Sequence, residues 1–309
     1  MFTKNPARAL GIRYWPQVQD GGSSHSPPSR VASSPGNGGH LLLPAQHRYT
    51  PQEIEAFAQK ALADGYCVLP QHFSPSILTA WREAFSPLLE GHIAREGHLP
   101  NRGPLRYYVT LPFVAPFAEP RLFEDEDLLA VLEHLVGQDA VMCQLATDTP
   151  CLGSDYQDVH RDTPPLFPEW GRETPPYQLA VNFPLVDVTP EHGPVEIARG
   201  THMMSREEGL RRIESGEIKL EPVLMRLGDV MIRDVRGLHR GTPNRTQTPR
   251  PMVVIGYSRR WLFRPEVSIR IPRATLETLS PRAKHLLRFN PIVESLEAAG
   301  NESYQSFAY

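Results

Sequence analysis

The feature that most constrains the fold of this chain is a change in its sequence pattern at Gly137. Before this glycine, apolar residues recur at the spacing of helices, and after it they form short, partly β-branched segments separated by Pro and Gly. Helices followed by many short strands are typical of a β-sandwich or barrel with helices packed against it. They are not typical of a parallel sheet built from βαβ units.

Three helices are predicted before Gly137. Thr50-Pro51-Gln52-Glu53 supplies an N-cap, a proline in the first turn and a capping-box glutamate for a helix that ends at Gly65. A second helix begins at Ser74-Pro75, and Pro87 is expected to kink or divide it. The third covers roughly residues 124–136, with acidic residues at its start and leucines along one side.

The remaining elements are mostly strands. Shorter helices are predicted at residues 205–213 and 280–287. The predicted strands are 66–69, 140–146, 177–186, 195–198, 222–227, 229–234 and 252–261.

The N-terminal segment has a different composition from the rest of the chain. Residues 21–39 are almost wholly Gly, Ser and Pro and offer too little apolar area to offset the entropy of ordering. We therefore predict a flexible tail at residues 1–47 and a folded domain at residues 48–309.

Charge and cysteine content exclude several classes of protein. The net charge is -3 and the isoelectric point is near 6.5, so no basic field favours nucleic acid or an anionic membrane. The 3 cysteines are too few and too irregular for a disulfide framework, which favours a reducing compartment. No apolar run is long enough for a signal peptide or a membrane span. We expect a soluble, cytoplasmic protein.

The sharpest motif for chemistry is His160-Arg161-Asp162, with His239 further along the chain. In an extended segment, residues two apart point to the same side, so His160 and Asp162 would face one point. His239 would complete a set of two histidines and one carboxylate, which suits a non-haem Fe(II) with open coordination positions. The alternative is that Asp162 is only a turn residue before Thr163-Pro164.

These residues form part of a longer series of motifs. The segments 160–162, 193–202, 227–229 and 239–250 together resemble the phytanoyl-CoA dioxygenase family of Fe(II)- and 2-oxoglutarate-dependent oxygenases. The resemblance covers roughly residues 50–265. It implies an α+β fold with a double-stranded β-helix (jelly roll, cupin-like) core and N-terminal buttressing helices, and residues 48–309 would then form a jelly-roll oxygenase domain.

The resemblance also implies a ligand set. Fe(II) would be held by His160, Asp162 and His239, and Arg250 would bind the distal carboxylate of 2-oxoglutarate with its guanidinium fork. Arg245 competes for that role but is better placed for a surface turn. The enzyme would convert 2-oxoglutarate and O2 to succinate and CO2 and oxidise, most simply hydroxylate, an unactivated C–H bond of a small-molecule substrate. Halogenating relatives have a small residue where Asp162 stands, so the carboxylate favours hydroxylation or a related oxidation.

Other residues are weaker candidates for the site. Gln144 and Asn182 are polar residues in strands that look buried, so they would bind the cofactor or satisfy internal hydrogen bonds. Arg106, Tyr107 and Trp170 are the candidates for substrate contacts, although their aromatic rings could equally serve ordinary packing.

Two other functions compete with the oxygenase. One is a non-catalytic jelly-roll protein that binds a metal or ligand without turnover. The other is a zinc hydrolase, but no H-E-x-x-H motif is present. The sequence departs from the family pattern at Arg161, where glutamine is frequent, and at Met252, where a hydroxyl residue is expected. It leaves the oligomeric state and the substrate open.

Overall fold

The computed structural model describes residues 47–98, 102–262 and 264–296. The predicted tail at residues 1–47 lies outside the described residues except for His47, so the division between tail and domain stays a prediction. The helices are α1 (Pro51–Asp64), α2 (Pro75–Glu96), α3 (Pro120–Phe123), α4 (Glu126–Val136), α5 (Arg206–Glu214), α6 (Arg273–Thr278) and α7 (Pro281–Leu286).

The strands form two antiparallel sheets and one short parallel pair. A six-stranded sheet has the order β1-β7-β4-β9-β3-β2, and a three-stranded sheet has the order β6-β5-β8. The strands are β1 (Tyr66–Leu69), β2 (Arg106–Thr110), β3 (Val141–Pro150), β4 (Gln178–Pro184), β5 (Val195–Ala198), β6 (Leu220–Val223), β7 (Val230–Asp234), β8 (His239–Gly241), β9 (Met252–Ser258), β10 (Ile271–Pro272) and β11 (Ile292–Val293). Apart from the consecutive pair β2 and β3, strands that neighbour each other in the large sheet are not consecutive in the chain, as in a jelly roll.

The first helix has the predicted ends. Glu53 donates its backbone N–H to the side chain of Thr50 and accepts the backbone N–H of Thr50, which completes the capping box. The helix ends at Gly65, whose positive φ of 86° is a left-handed conformation that glycine adopts without strain.

The N-terminal helices cover one face of the six-stranded sheet. Helix α1 packs against α4 and β1, while α2 contacts β2 and α4 contacts β4. The ring of Trp81 in α2 lies 5.7 Å from the ring of Phe183 in β4, and both side chains are buried. These helices and the sheet share one large apolar core, so the expected buttressing is present.

A second, smaller apolar cluster lies between the two sheets. It includes Met231 and Met252 from the six-stranded sheet and Ile197 and Val223 from the three-stranded sheet. This cluster packs one part of the space between the sheets and leaves the rest to polar side chains.

The structure differs from the prediction in several elements. Helix α2 runs through Pro87 without being divided, and β3 extends to Pro150, four residues beyond the predicted end. Strands β2, β8, β10 and β11 were not predicted. Strand β8 has only 3 residues, too few for a periodic pattern, and its form depends on pairing with β5.

None of the helices among the described residues is both long and apolar enough to cross a membrane.

Candidate metal centre

Backbone pairing brings together the two distant segments that carry the motif. The N–H of His160 donates to the carbonyl of His239 at 3.0 Å, and the reverse bond is 3.1 Å long. Two residues further on, the N–H of Asp162 donates to the carbonyl of Val235 at 3.0 Å. His160 and Asp162 therefore face the same side of an extended segment, opposite His239.

The three side chains form a compact group. One potential ligand atom from each residue lies within 4.8 Å of the others. Oδ1 of Asp162 lies 3.9 Å from Nε2 of His160 and 3.7 Å from Nε2 of His239. All three residues are buried. This donor set fits a metal ion such as Fe(II) that takes two imidazoles and one carboxylate on a single face.

Hydrogen bonds on the far side of each imidazole prepare it to bind a metal. Nδ1 of His160 lies 2.7 Å from the carbonyl oxygen of Asp158, and Nδ1 of His239 lies 2.9 Å from that of Gly237. A carbonyl oxygen only accepts, so each Nδ1 carries the proton and donates. The Nε2 lone pairs are then directed toward Asp162.

Arg233 of β7 fixes the carboxylate. Its Nη2 donates to Oδ2 of Asp162 at 2.6 Å, which leaves Oδ1 toward the histidines. Its Nε donates to Oδ1 of Asn182 at 3.3 Å, and Nδ2 of Asn182 donates to the carbonyl of Val253 at 3.1 Å. Asn182 thus holds Arg233, and Arg233 holds the ligand.

The protonation states also favour metal binding. Burial lowers the pKa of both His160 and His239, so both imidazoles are neutral at neutral pH. Burial has the largest single effect and would raise the pKa of Asp162, but the neighbouring positive charges, with Arg233 first among them, together outweigh it and hold that pKa well below its ordinary value. The centre therefore offers two neutral nitrogens and one carboxylate.

The three ligand candidates lie in a cavity between the sheets. Its volume is about 710 Å³ when the opening to solvent is included. The described residues that line it are Arg102, Tyr108, Gln144, Asp148, Gln157, His160, Asp162, Gln178, Ala180, Asn182, Val195, Met231, Arg233, Val235, His239, Gly241, Arg250, Met252, Val254 and Arg264.

Arg250 lines this cavity, whereas Arg245, the alternative candidate for binding 2-oxoglutarate, does not. Its Nη2 donates to the carbonyl of Gly193 at 2.6 Å, and its Nε has no hydrogen-bond partner among the described residues. Burial lowers its pKa to about 10, so it remains a cation at neutral pH. Arg245 is exposed.

Gln144 and Asn182 both line the cavity, but their amides already have protein partners. Nε2 of Gln144 donates to the hydroxyl of Tyr108 at 2.6 Å. A Cβ on Gly256, which pairs with Gln144, would lie 2.8 Å from the Cβ of Gln144, so only glycine leaves room for this side chain.

The three residues predicted to contact substrate are not among those that line the cavity. Arg106 donates to Oδ2 of Asp148 at 2.9 Å and to the carbonyl of Thr242 at 2.7 Å. Tyr107 donates its hydroxyl to the carbonyl of Gly97 at 2.9 Å within the core. Trp170 is 55% exposed and its ring stacks on that of Phe167 at 4.8 Å. For Arg106 and Tyr107 these contacts favour a structural role.

Three residues that line the cavity were not predicted from the sequence, although the sequence around each of them contains a signal that could have identified it. Arg233 is a charged residue within the buried strand β7, where a charge needs a partner. Asp148 lies four residues after Gln144 on β3 and therefore on the same face. Tyr108 is the neighbour of the predicted Tyr107 and points to the other side of β2.

Comparison with protein-family models identifies one match. The model described as phytanoyl-CoA dioxygenase (PhyH) matches residues 62–252. This segment contains the two histidines, the aspartate and Arg250 of the cavity.

Solved structures of similar fold are also known. The non-heme alpha-ketoglutarate-dependent epimerase SnoN from nogalamycin biosynthesis is 20% identical with a TM-score of 0.54, and the match covers 68% of this chain and 84% of SnoN. AviO1 from Streptomyces viridochromogenes Tue57 is 20% identical with a TM-score of 0.54, covering 68% of this chain and 96% of AviO1. HygX from Streptomyces hygroscopicus, solved with nickel, 2-oxoglutarate and hygromycin B bound, is 21% identical with a TM-score of 0.50, covering 69% and 89%. At 20–21% sequence identity, the similarity of these structures to this chain shows that they share the jelly-roll fold.

Proposed function

Because this chain belongs to the phytanoyl-CoA dioxygenase family, we propose that it is an Fe(II)- and 2-oxoglutarate-dependent dioxygenase that hydroxylates an unactivated C–H bond of a small molecule. The observation that carries the proposal is the group of His160, Asp162 and His239 in the same cavity as the buried cation Arg250. SnoN has been solved with Fe3+ and alpha-ketoglutarate, and HygX with nickel and 2-oxoglutarate, which supports the same co-substrate here.

The three ligand candidates would hold Fe(II) on one face and leave positions for 2-oxoglutarate and O2. When bound, these cofactors supply the oxidising chemistry, and 2-oxoglutarate and O2 are converted to succinate and CO2. The protein contributes the geometry. Arg233 orients Asp162, and the carbonyls of Asp158 and Gly237 orient the imidazoles.

Arg250 would anchor 2-oxoglutarate by its distal carboxylate. One arm of its fork is fixed by the carbonyl of Gly193, which sets the direction of the guanidinium. The Nε has no hydrogen-bond partner within the described part of the chain, as expected of a group that receives a carboxylate. Its burial strengthens the ion pair because water screens it less.

We propose that Gln144 and Asn182 act on the site by positioning other groups. Asn182 holds Arg233, and Gln144 holds the hydroxyl of Tyr108. Met231, Met252, Val195 and Val254 supply apolar walls that exclude water from the reacting atoms. Trp170, exposed on the loop after Asp162, remains a candidate for contact with a larger substrate.

Anaerobic reconstitution with Fe(II) and 2-oxoglutarate tests the proposal. Chelation of Fe(II) by 2-oxoglutarate gives a weak visible charge-transfer band, which we expect in the native protein, absent in His160→Ala and weakened in Arg250→Ala. Arg245→Ala is the matched control, because it removes an exposed arginine five residues away and should leave the band unchanged.

The result of this reconstitution distinguishes the oxygenase from the alternative functions. A folded protein that binds Fe(II) without the band argues against 2-oxoglutarate chelation and favours a non-catalytic metal-binding protein. If the band forms, oxygen exposure with candidate substrates and mass analysis for a gain of one oxygen atom tests hydroxylation. An isomerised product without added oxygen would instead indicate chemistry of the epimerase kind.

A further inference from the structure

The side chain of Gln157 is held in place by strand β8. Its backbone N–H donates to the carbonyl of Gly241 at 3.0 Å, and the N–H of Gly241 donates to Oε1 of Gln157, also at 3.0 Å. A backbone N–H can only donate, so it is the oxygen of the carboxamide that faces Gly241. The orientation of the amide is therefore fixed, and Nε2 is its remaining polar atom.

Glycine at position 241 makes this arrangement possible. A Cβ there would lie 2.6 Å from Oε1 of Gln157 and 2.5 Å from Nη1 of Arg106. A glycine inside a strand leaves space for the close approach of another group. The amide of Gln157 therefore lies against β8, two residues beyond the ligand candidate His239.

The Nε2 of Gln157 is open to a bound molecule. Gln157 is half-buried and lines the cavity. Within the described part of the chain, no residue accepts a hydrogen bond from Nε2. A donor whose amide is fixed at one end and has no protein partner at the other suits an acceptor atom of a ligand, because specific polar contacts in a cavity depend on such placed groups.

Gln157 lies between the metal centre and Arg250. His239 and Gly241 are two residues apart on β8, which corresponds to about 7 Å along the strand. Arg250 donates to the carbonyl of Gly193, which lies two residues before the partner of Gly241 on the antiparallel strand β5. Because the two strands run in opposite directions, Gly193 is on the side of Gly241 away from His239. Gln157 is thus flanked by the metal centre on one side and by the contact of Arg250 on the other.

This is the space that 2-oxoglutarate would cross under the proposed function. One end would chelate the metal, and the distal carboxylate would meet Arg250. A carboxylate has about four lone-pair sites, and Arg250 already uses one arm for the carbonyl of Gly193. Met252, which also lines the cavity, has no donor, and the carboxylate of Asp148 only accepts and is engaged by Arg106 at 2.9 Å. The distal carboxylate therefore has lone pairs for a further donor.

We propose that Gln157 binds 2-oxoglutarate, with its Nε2 donating to the same distal carboxylate as Arg250. The inference rests on the proposed function and adds a second donor for the co-substrate. Arg250 comes two residues before β9 of the six-stranded sheet, whereas Gln157 is fixed to β8 of the three-stranded sheet. The carboxylate would then be held from both sheets, and a hydrogen bond to an ionised acceptor is stronger than one to a neutral acceptor.

Isothermal titration calorimetry of 2-oxoglutarate into the Ni(II)-loaded protein tests this contact without turnover. Gln157→Glu keeps an oxygen that accepts the N–H of Gly241 but replaces the donor with a negative charge, and Gln157→Met removes the donor at similar size. We expect the dissociation constant of 2-oxoglutarate to rise at least about tenfold in both variants, and more in Gln157→Glu, because a hydrogen bond to a charged group is lost. The affinity for Ni(II) should stay unchanged.

Gln178→Glu is the matched control. Gln178 also lines the cavity, but it pairs with Ser258 at the last residue of β9, and its Oε1 accepts from Nη1 of Arg264 at 3.2 Å. The substitution makes the same change of charge in the same cavity, at the end of β9 away from Arg250. We expect it to alter the affinity for 2-oxoglutarate less than about threefold, because the interaction of charges weakens with distance.

The analogue 2-oxopentanoate identifies which end of the co-substrate Gln157 binds. It has a methyl group in place of the distal carboxylate, so both Gln157 substitutions should leave its affinity unchanged. If the native protein binds Ni(II) but not 2-oxoglutarate, the proposed function fails. If the native protein binds it and Arg250→Met weakens binding while both Gln157 variants bind as the native protein does, only this inference is wrong. It is also wrong if Gln178→Glu weakens binding as much as Gln157→Glu, or if the affinity for 2-oxopentanoate falls in parallel.

Discussion

At the scale of single residues, the two oxygens of Asp162 have different partners. Arg233 binds Oδ2, so Oδ1 faces the two histidines. Without that ion pair the carboxylate could rotate, and its burial would favour the protonated form. Arg233 therefore both orients the ligand candidate and keeps it charged.

Arg106 and Asp148 form a second ion pair, in which Arg106 is buried and Asp148 is partly exposed. The stability of a variant without this pair tests whether Arg106 has a structural role or binds substrate. Arg106 is 1% exposed, and Asp148 is 21% exposed at the side chain. We predict that Arg106→Met lowers the free energy of unfolding by about 2–4 kcal/mol, because it leaves the carboxylate without its cation. Urea denaturation measures the effect.

The double variant Arg106→Met/Asp148→Asn is the control for this prediction. Removing both charges should restore part of the lost stability, since no unpaired charge then stays buried. A single variant as stable as the native protein would contradict the structural role and support the alternative that Arg106 serves the ligand.

At the scale of elements, the loop from Thr163 to Tyr177 is tied to both segments that carry the metal ligands. The hydroxyls of Thr163 and Tyr177 are 2.9 Å apart and close the base of the loop. Glu173 accepts from Nη1 of Arg161 at 2.6 Å and from Nη1 of Arg236 at 3.4 Å. Arg161 lies between His160 and Asp162, and Arg236 lies three residues before His239. One carboxylate thus bridges the two segments.

We predict that Glu173→Gln destabilises this loop. Glu173 is buried, with a 4% exposed side chain, and its neutral replacement would leave two buried guanidinium groups with a weaker acceptor. The expected loss in free energy of unfolding is about 2–4 kcal/mol. Limited proteolysis should show faster cleavage between residues 164 and 176.

Glu169→Gln provides the matched control for the loop. It makes the same chemical change on the same loop at an exposed position, so we expect less than about 0.5 kcal/mol. Equal effects of the two substitutions would show that the contacts of Glu173 do not stabilise the loop.

At the scale of the whole molecule, the metal centre joins the two sheets. His239 belongs to β8 of the three-stranded sheet, and Asp162 is paired with Arg233 of β7 in the six-stranded sheet. An ion bound by these ligands would therefore link the two sheets through side chains distant in sequence.

Ligand binding should accordingly stabilise the native fold. We predict that Ni(II) with 2-oxoglutarate, each at 100 times its dissociation constant, raises the free energy of unfolding by about 2.7 kcal/mol or more, because ligands that bind only the folded state shift the equilibrium toward it. Thermal denaturation with and without the ligands measures the shift. His239→Ala should abolish it, and a persistent shift in that variant would place the metal elsewhere.

The sequence by itself determined the features that depend on local chemistry. The capping box at Thr50 and the stop at Gly65 lie within one helix, and both are confirmed. The jelly roll with N-terminal helices followed from the order of patterns and from the family motifs, and the fold is confirmed. The spacing of His160 and Asp162 also places both on one side, because alternation in an extended segment needs no partner.

Only the tertiary structure decided which residues meet. Arg233 reaches Asp162 across 71 positions of the chain, and Arg106 reaches Asp148 across 42, so neither partner could be read from local spacing. Tyr107 and Tyr108 have the same side chain, and only the tertiary structure shows that Tyr107 packs in the apolar core whereas Tyr108 lines the cavity. Local propensity fixes helix ends and strand alternation, whereas strand pairing between distant segments fixes which side chains share the cavity, because register is set by the other strand.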